Sequence, residues 1–382
     1  MKIILNIDAI KFPLTGIGRY TYELAKELAN GSMDIEELKL MAGYQFCSSL
    51  PMEPNSASAF QQSIKLRLQK NVLFSECYRV LYSKIKTFKL KSYSDFIYHS
   101  PNFYLPSFSG RSVATFHDLS VFLWPQCHTK ERVRFMQKEL YLTIKRANAL
   151  ITDSEFTRQE LSAYFAFPLE RIFNVPLASS GSFYEHSKED AQSVLARYDL
   201  TYKQYSLFIG SIEPRKNLST LIHAYQRLPI PLRKQYPLVV SGYKGWESGD
   251  IHEQMNRGES EGWLCYLGFT PTNDLPALFS GARLFVFPSL YEGFGLPVLE
   301  SMASGTPVIC SNAASLPEVV GDVALMCDAL DIDKLTELLQ FGLEDEEWRK
   351  QATERGLQRS KLFSWRRCAQ ETINVYQKVS RS

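Results

Sequence analysis

The stretch from Leu284 to Pro307 limits this chain most tightly. Its apolar, aromatic opening, Leu284 to Phe287, predicts a buried strand. Gly293 and Gly295 then mark a loop, and Pro297 stands where a helix begins. Gly305 and Pro307 end that helix after about two turns. A strand, a glycine loop and a helix N-terminus together make an anion site, because unpaired backbone N–H groups and the positive end of the helix dipole meet there. Glu292 and Glu300 flank this site. Carboxylates repel phosphate and suit hydroxyl groups. Amides for phosphate and carboxylates for hydroxyls suit a nucleotide sugar.

The rest of the chain alternates strands and helices. Ile3–Ile7, Phe96–His99, Ser112–Phe116, Ala149–Thr152 and Ile172–Val175 read as strands, with helices over about 17–29 and 130–147. Asp153 to Thr157 reads as a helix cap. Residues 44–62 read as loop, and the polar run 176–190 as a linker. The pattern then restarts with strands at Ser206–Ile209, Leu238–Ser241, Trp263–Leu267, Leu284–Phe287, Val308–Cys310 and Ala324–Cys327. Residues 316–321 read as a turn, helices fill 331–343 and 345–361, and a last helix follows Trp365. This order predicts an α/β chain with two domains, as the length of 382 residues also suggests.

Composition removes several function classes. A formal net charge of +2 argues against a nucleic-acid binder. The seven cysteines are scattered without a CxxC pair, so neither a zinc site nor a disulfide framework is indicated, and a reducing cytoplasm fits. The apolar run at the N-terminus is too short for a signal peptide, and no apolar stretch reaches transmembrane length. Residues 65–91 carry eight Lys or Arg against one acid, Glu76, with apolar residues at helical spacing. Such a stretch can lie on anionic lipid or pack on the domain with a solvated basic face.

Three further features bear on chemistry. Arg215 and Lys216 follow a strand, where two cations can neutralise a diphosphate leaving group or stand as surface charges. His117 ends a strand, the position where open parallel sheets place ligands, although a lone histidine is commonly structural. Gly16 and Gly18 open a helix after the first strand, but the third glycine of GxGxxG is missing, so they can serve close packing as well as a ligand. His117 and His128 lack a third metal ligand at sensible spacing. Asp331 and Asp333 match a short DxD pattern but sit where a helix cap belongs.

Taken in order, Gly210-Ser-Ile-Glu-Pro-Arg-Lys-Asn217, Gly268-Phe269, Glu292-Gly-Phe-Gly-Leu-Pro-Val-Leu-Glu300 and Leu316-Pro-Glu-Val-Val-Gly321 resemble the GT-B-fold retaining glycosyltransferases of family 4. Thr15 to Tyr20 and Thr115 to Ser120 resemble the bacterial mannosyltransferases of polysaccharide and O-antigen assembly. The resemblance implies two Rossmann-like domains with parallel sheets facing a central cleft. Residues 1–180 would form the acceptor domain, joined by a crossover helix at 364–382, and 190–363 the nucleotide-sugar domain. By the same resemblance, Arg215 and Lys216 would bind the donor diphosphate. Glu292 with Gly293, Phe294, Gly295 and Leu296 would hold the sugar, and Glu300 the ribose. His117 would contact the sugar near the reacting carbon. Gly16 and Gly18 would approach the diphosphate, and Gly268 and Phe269 the base. No metal or other cofactor is expected.

The expected reaction is α-mannosyl transfer from GDP-mannose to a lipid-linked saccharide, in the cytoplasm or on the cytoplasmic face of the inner membrane. Another hexose from a UDP- or dTDP-sugar is the alternative within the class. A sugar-nucleotide epimerase and a non-catalytic sugar-nucleotide binder are the alternatives outside it.

Overall fold

A computed structural model describes residues 1–14, 16–31, 34–52, 85–245 and 249–381. Two sheets carry the chain. The first has the order β3-β2-β1-β4-β5-β6-β7. Its strands are β1 (Lys2–Asn6), β2 (Glu37–Ala42), β3 (Gln45–Cys47), β4 (Ile97–Ser100), β5 (Arg111–Phe116), β6 (Ala149–Thr152) and β7 (Ile172–Asn174). All its pairings are parallel except β2 with β3. The second sheet is parallel throughout, in the order β10-β9-β8-β11-β12-β13. Its strands are β8 (Ser206–Ile209), β9 (Leu238–Ser241), β10 (Leu264–Gly268), β11 (Leu284–Phe287), β12 (Val308–Ser311) and β13 (Leu325–Cys327).

The α/β expectation therefore holds, and the GT-B architecture accounts for both sheets. In each sheet the strand order reverses beside the first strand, between β1 and β4 and between β8 and β11. Loops leaving two such neighbours run in opposite directions and open a crevice at their carboxyl ends.

The helices that place the site are α1 (Gly16–Ala29), α2 (Glu155–Phe165), α3 (Leu218–Arg227), α4 (Leu296–Ala303), α5 (Leu316–Val320) and α6 (Trp365–Arg381). The β11 side chains are fully buried, as a strand covered on both faces requires. Each such Phe or Val contributes about 1.5–3 kcal/mol of apolar burial. Helix α6 returns from the second sheet and lies against α1, with Trp365, Cys368, Ile373 and Tyr376 buried.

Several local expectations change. Gln45–Cys47 pairs antiparallel with β2, so part of the expected 44–62 loop is an edge hairpin. Gly43, at positive φ, makes its turn. Residues 316–320 form a short helix instead of a turn, because Pro317 pre-sets its first turn. The run 176–190 does connect the two sheets, but it is packed as well, with Leu177, Ala178 and Phe183 buried, and a helix capped by Ser187 begins at Lys188. Of the basic stretch 65–91, residues 65–84 lie outside the described residues. Its end, 85–90, is helical, and Lys86 is buried, donating to Asp8 Oδ2 at 2.9 Å and Asn6 Oδ1 at 3.3 Å. Lys86 thus holds the end of β1 and is not part of a lipid-facing surface.

A buried polar network fixes α6 to the first sheet. His99 Nδ1 lies 2.6 Å from the Tyr376 hydroxyl, and His99 Nε2 lies 2.9 Å from Thr115 Oγ1. The Tyr20 hydroxyl of α1 joins at 3.0 Å from Thr115. Burial, aided by nearby His117, pulls His99 down to about 3 and keeps it neutral. Because the folded value lies below the unfolded 6.5, its contribution to stability is complete above pH 6.5. It is lost as pH falls toward 3, by about 1.4 kcal/mol per pH unit. Urea unfolding at pH 7 and pH 5 should show this loss in the wild type, and His99→Gln should remove that part of the slope.

Candidate functional site

The site forms where β8 and β11 diverge. The loop after β8 and the loop after β11 are stitched together by backbone and side chain. Leu290 donates its N–H to the Arg215 carbonyl at 2.9 Å, and Ser289 Oγ reaches the same carbonyl at 3.1 Å. Asn217, in the left-handed conformation ahead of α3, donates to the carbonyls of Pro288 at 2.9 Å and Ala329 at 2.6 Å. These bonds hold Arg215 and Lys216 beside Glu292.

Glu292 is the centre of a buried charge cluster. Its Oε1 accepts from Lys216 Nζ at 2.6 Å and from Ser289 Oγ at 2.6 Å, and its Oε2 lies 3.3 Å from Arg215 Nη1. Arg215 also donates to Glu213 Oε1 at 2.8 Å and to the Tyr291 carbonyl at 2.6 Å. The Lys216 ammonium stands 5.1 Å from the centroid of the Phe287 ring. Burial raises the Glu292 carboxyl, but the Lys216 and Arg215 charges and the donated hydrogen bonds outweigh it and hold Glu292 below the usual carboxylate range. Burial likewise works against the Arg215 guanidinium, and Glu292, Glu213 and Asp118 overcome it, so Arg215 stays charged. Lys216 is pulled down by burial and held up by Glu292; the short contact to an ionised carboxylate favours the ammonium. Among the described residues nothing accepts from the buried Nε of Arg215.

The glycine loop presses against the first sheet. A Cβ added at Gly293 would fall 1.7 Å from the His117 carbonyl oxygen, so only glycine fits. The Gly293 carbonyl accepts from Ser154 Oγ at 2.7 Å and Thr157 Oγ1 at 3.2 Å. Ser315 Oγ lies 2.9 Å from the carbonyls of both Glu292 and Phe294. Gly295, at φ 107°, turns the chain into α4, where Leu296 is half-buried and Pro297 follows in the first turn.

His117 lies next to this loop, at the end of β5. Its Nδ1 is 2.7 Å from Asp153 Oδ2 and its Nε2 donates to the Pro101 carbonyl at 2.8 Å. Burial disfavours the imidazolium, but the Asp153 charge and hydrogen bond outweigh it and raise the ring above its ordinary value. Both ring nitrogens are thus engaged within the first sheet, and the backbone of His117 makes the approach to Gly293. Glu300 projects from α4 and is raised to about 7 by burial, opposed by the Arg19 charge from α1.

The remaining expected residues have these local surroundings. Gly16 is exposed at the start of α1, while Gly18 faces the Ala9 carbonyl closely enough that a Cβ would lie 2.9 Å from it. Gly18 therefore lets the start of α1 pack on the loop that follows β1. Gly268 ends β10 at positive φ, and Phe269 beside it is 58% exposed. Asp331 caps its helix by accepting from Lys334 N at 2.8 Å. Among the described residues no group of three or more His, Cys, Asp or Glu could hold a metal ion.

The sequence assigned no site role to Ser289, Glu213, Tyr291, Asp153 or Arg19. Ser289 and Tyr291 carried a signal, since they share the loop of Glu292. Asp153 and Arg19 gained their roles only from contacts made across the fold.

Residues 199–359 match the family of glycosyl transferases group 1. The O-antigen chain mannosyltransferase B of Escherichia coli is 45% identical over 98% of this chain and 99% of its own. The serotype-specific mannosyltransferase WbdA of Escherichia coli is 34% identical over 64% of this chain, which corresponds to 31% of WbdA. The structure of HepE from Anabaena, in complex with UDP and glucose, superposes with a TM-score of 0.73 at 17% identity, covering 99% of this chain and all of the other. The chain belongs to the group 1 glycosyl transferases.

The packing around Gly293 gives a direct test. Gly293→Ala must push the loop away from His117, and a displacement near 1 Å at a reacting centre costs about 100-fold in turnover. Glycosyl-transfer rates of the variant, with thermal unfolding as the control for folding, measure this loss.

Proposed function

We propose that this member of the group 1 glycosyl transferases moves an α-mannosyl group from GDP-mannose to a lipid-linked saccharide in the assembly of O-antigen or a related surface polysaccharide. The near-full-length relative that is an O-antigen chain mannosyltransferase supports the sugar and the setting. The observation that carries the reaction is the buried Arg215–Lys216–Glu292 cluster at the β8/β11 crevice. Two cations and two carboxylates, Glu213 and Glu292, balance each other there. A diphosphate entering the crevice competes for both cations and offers an acceptor to the unmet Nε of Arg215. Glu292 is then released to accept hydrogen bonds from the sugar hydroxyls.

The chemistry follows from this exchange. As the bond from the anomeric carbon to the phosphate oxygen breaks, negative charge grows on GDP, and Arg215 and Lys216 stabilise it. The acceptor hydroxyl attacks from the face that GDP leaves, and its proton passes to the departing phosphate oxygen. The configuration is retained without a covalent sugar–enzyme step. Glu292 fits this better than the role of nucleophile, because once the cations turn to the diphosphate its carboxylate accepts from the sugar hydroxyls and from Ser289 Oγ. The two cations supply the charge compensation that a divalent ion would otherwise give, so transfer should survive chelation with EDTA. Among the described residues no helix is long and apolar enough to cross a membrane. In this reading the protein meets the acceptor lipid from the cytoplasmic face, by peripheral contact.

Purified protein assayed with GDP-mannose and with UDP- and dTDP-hexoses should transfer only from GDP-mannose; transfer from a UDP-hexose alone would reject this donor. Lys216→Ala should lower kcat by about 100- to 1000-fold, since one charge-stabilising donor is lost at the leaving group. Near-normal turnover would remove Lys216 from the site, and a sugar adduct trapped on Glu292 would overturn same-face attack.

A further inference from the structure

We infer that Glu318 and Ser154 are positioning residues that lock the Glu292–Gly295 loop against the first sheet. Glu318 belongs to α5 on the second sheet, yet its carboxylate caps α2 on the first. It accepts from Glu155 N at 2.8 Å and from Phe156 N at 2.6 Å. A carboxylate at a helix N-terminus satisfies two unpaired N–H groups and gains from the dipole. One residue earlier, Ser154 accepts from Thr157 N at 3.1 Å as the cap of α2 and donates to the Gly293 carbonyl. At the start of α5, Ser315 holds the carbonyls of Glu292 and Phe294.

The bonds close a ring. It runs from the loop through Ser315 to Glu318, across to the N-terminus of α2, and through Ser154 back to Gly293. Tyr291 adds a second tie, with its hydroxyl bonded to Glu160 of α2 and accepting from Leu119 N at 3.0 Å. Two elements on different sheets therefore hold the backbone on both sides of Glu292. Neither Glu318 nor Ser154 contacts Arg215 or Lys216. The inference rests on the reading of 292–295 as the sugar loop, and it separates nucleotide binding from sugar placement. Without the ring, the cations still bind diphosphate, but Glu292 and the neighbouring His117 backbone lose their fixed relation.

The test compares full-length wild type with Glu318→Ala, Glu318→Gln and Ser154→Ala. Glu318→Ala is expected to lower kcat by about tenfold or more while GDP affinity, measured by calorimetry, stays within about twofold. Glu318→Gln keeps an acceptor oxygen and should recover part of the rate. Small-angle scattering should show a larger radius of gyration for Glu318→Ala, because the ring also ties the two sheets. Ser154→Ala, a small change at a cap, should reproduce the kcat loss if Glu318→Ala proves too unstable to assay. Wild-type kcat together with wild-type scattering in both Ala variants would overturn the inference. So would a fall in GDP affinity as large as the fall in kcat. The scattering difference needs no activity, so a wild type inactive on GDP-mannose would reject the proposed function while an expanded Glu318→Ala still supported the lock.

Discussion

A carboxylate buried between two cations is the interaction on which this site depends. Taking Glu292, Lys216 and Arg215 out of water costs several kcal/mol per ion, and only close, well-directed partners offset it. The fold supplies them from separate places: both cations from the loop after β8, Ser289 and Glu292 from the loop after β11. Those loops are neighbours only because the strand order reverses between β8 and β11. A cluster of this kind is weak evidence for stability and stronger evidence for a ligand. In the proposed function its charges are exchanged, since a diphosphate is a better partner for both cations than one carboxylate is.

Much of this was legible in the sequence, because the informative residues lie in short strand–loop–helix units. The Leu284–Phe287 strand, the Gly293–Gly295 loop and the α4 helix follow from local rules, and the cation pair follows a strand in the same way. What escaped was set by distant pairing. The strand Glu37–Ala42 has mixed burial, and it is held as a strand by pairing with β1 from Glu37 to Met41. The packed run 176–190 reads as polar linker, yet Leu177, Ala178 and Phe183 bury against the core. His117 shows the same limit within the site. Its place at the end of β5 was predictable from the strand, whereas the engagement of both its nitrogens needs Asp153 and the Pro101 carbonyl, which only the fold brings near.

The two glutamates of the Glu292–Glu300 stretch show how eight residues can separate two electrostatic roles. Glu292 precedes α4 and meets cations on its own sheet, so its carboxyl is held ionised. Glu300 lies one helix turn from the end of α4, where burial raises it to about 7 against the opposing charge of Arg19, carried by the helix packed on the other sheet. Near neutral pH such a carboxyl is poised between accepting and donating a hydrogen bond, and a polyol such as ribose can meet either form. In the proposed reaction the charged member of the pair serves the reacting end of the donor, where charge develops. In the same proposal the near-neutral member meets the part of the donor that only has to be recognised. Because Arg19 sits on α1, the balance at Glu300 also depends on how closely the two sheets approach, so on the proposed reading one side chain links recognition of the donor to the approach of the sheets.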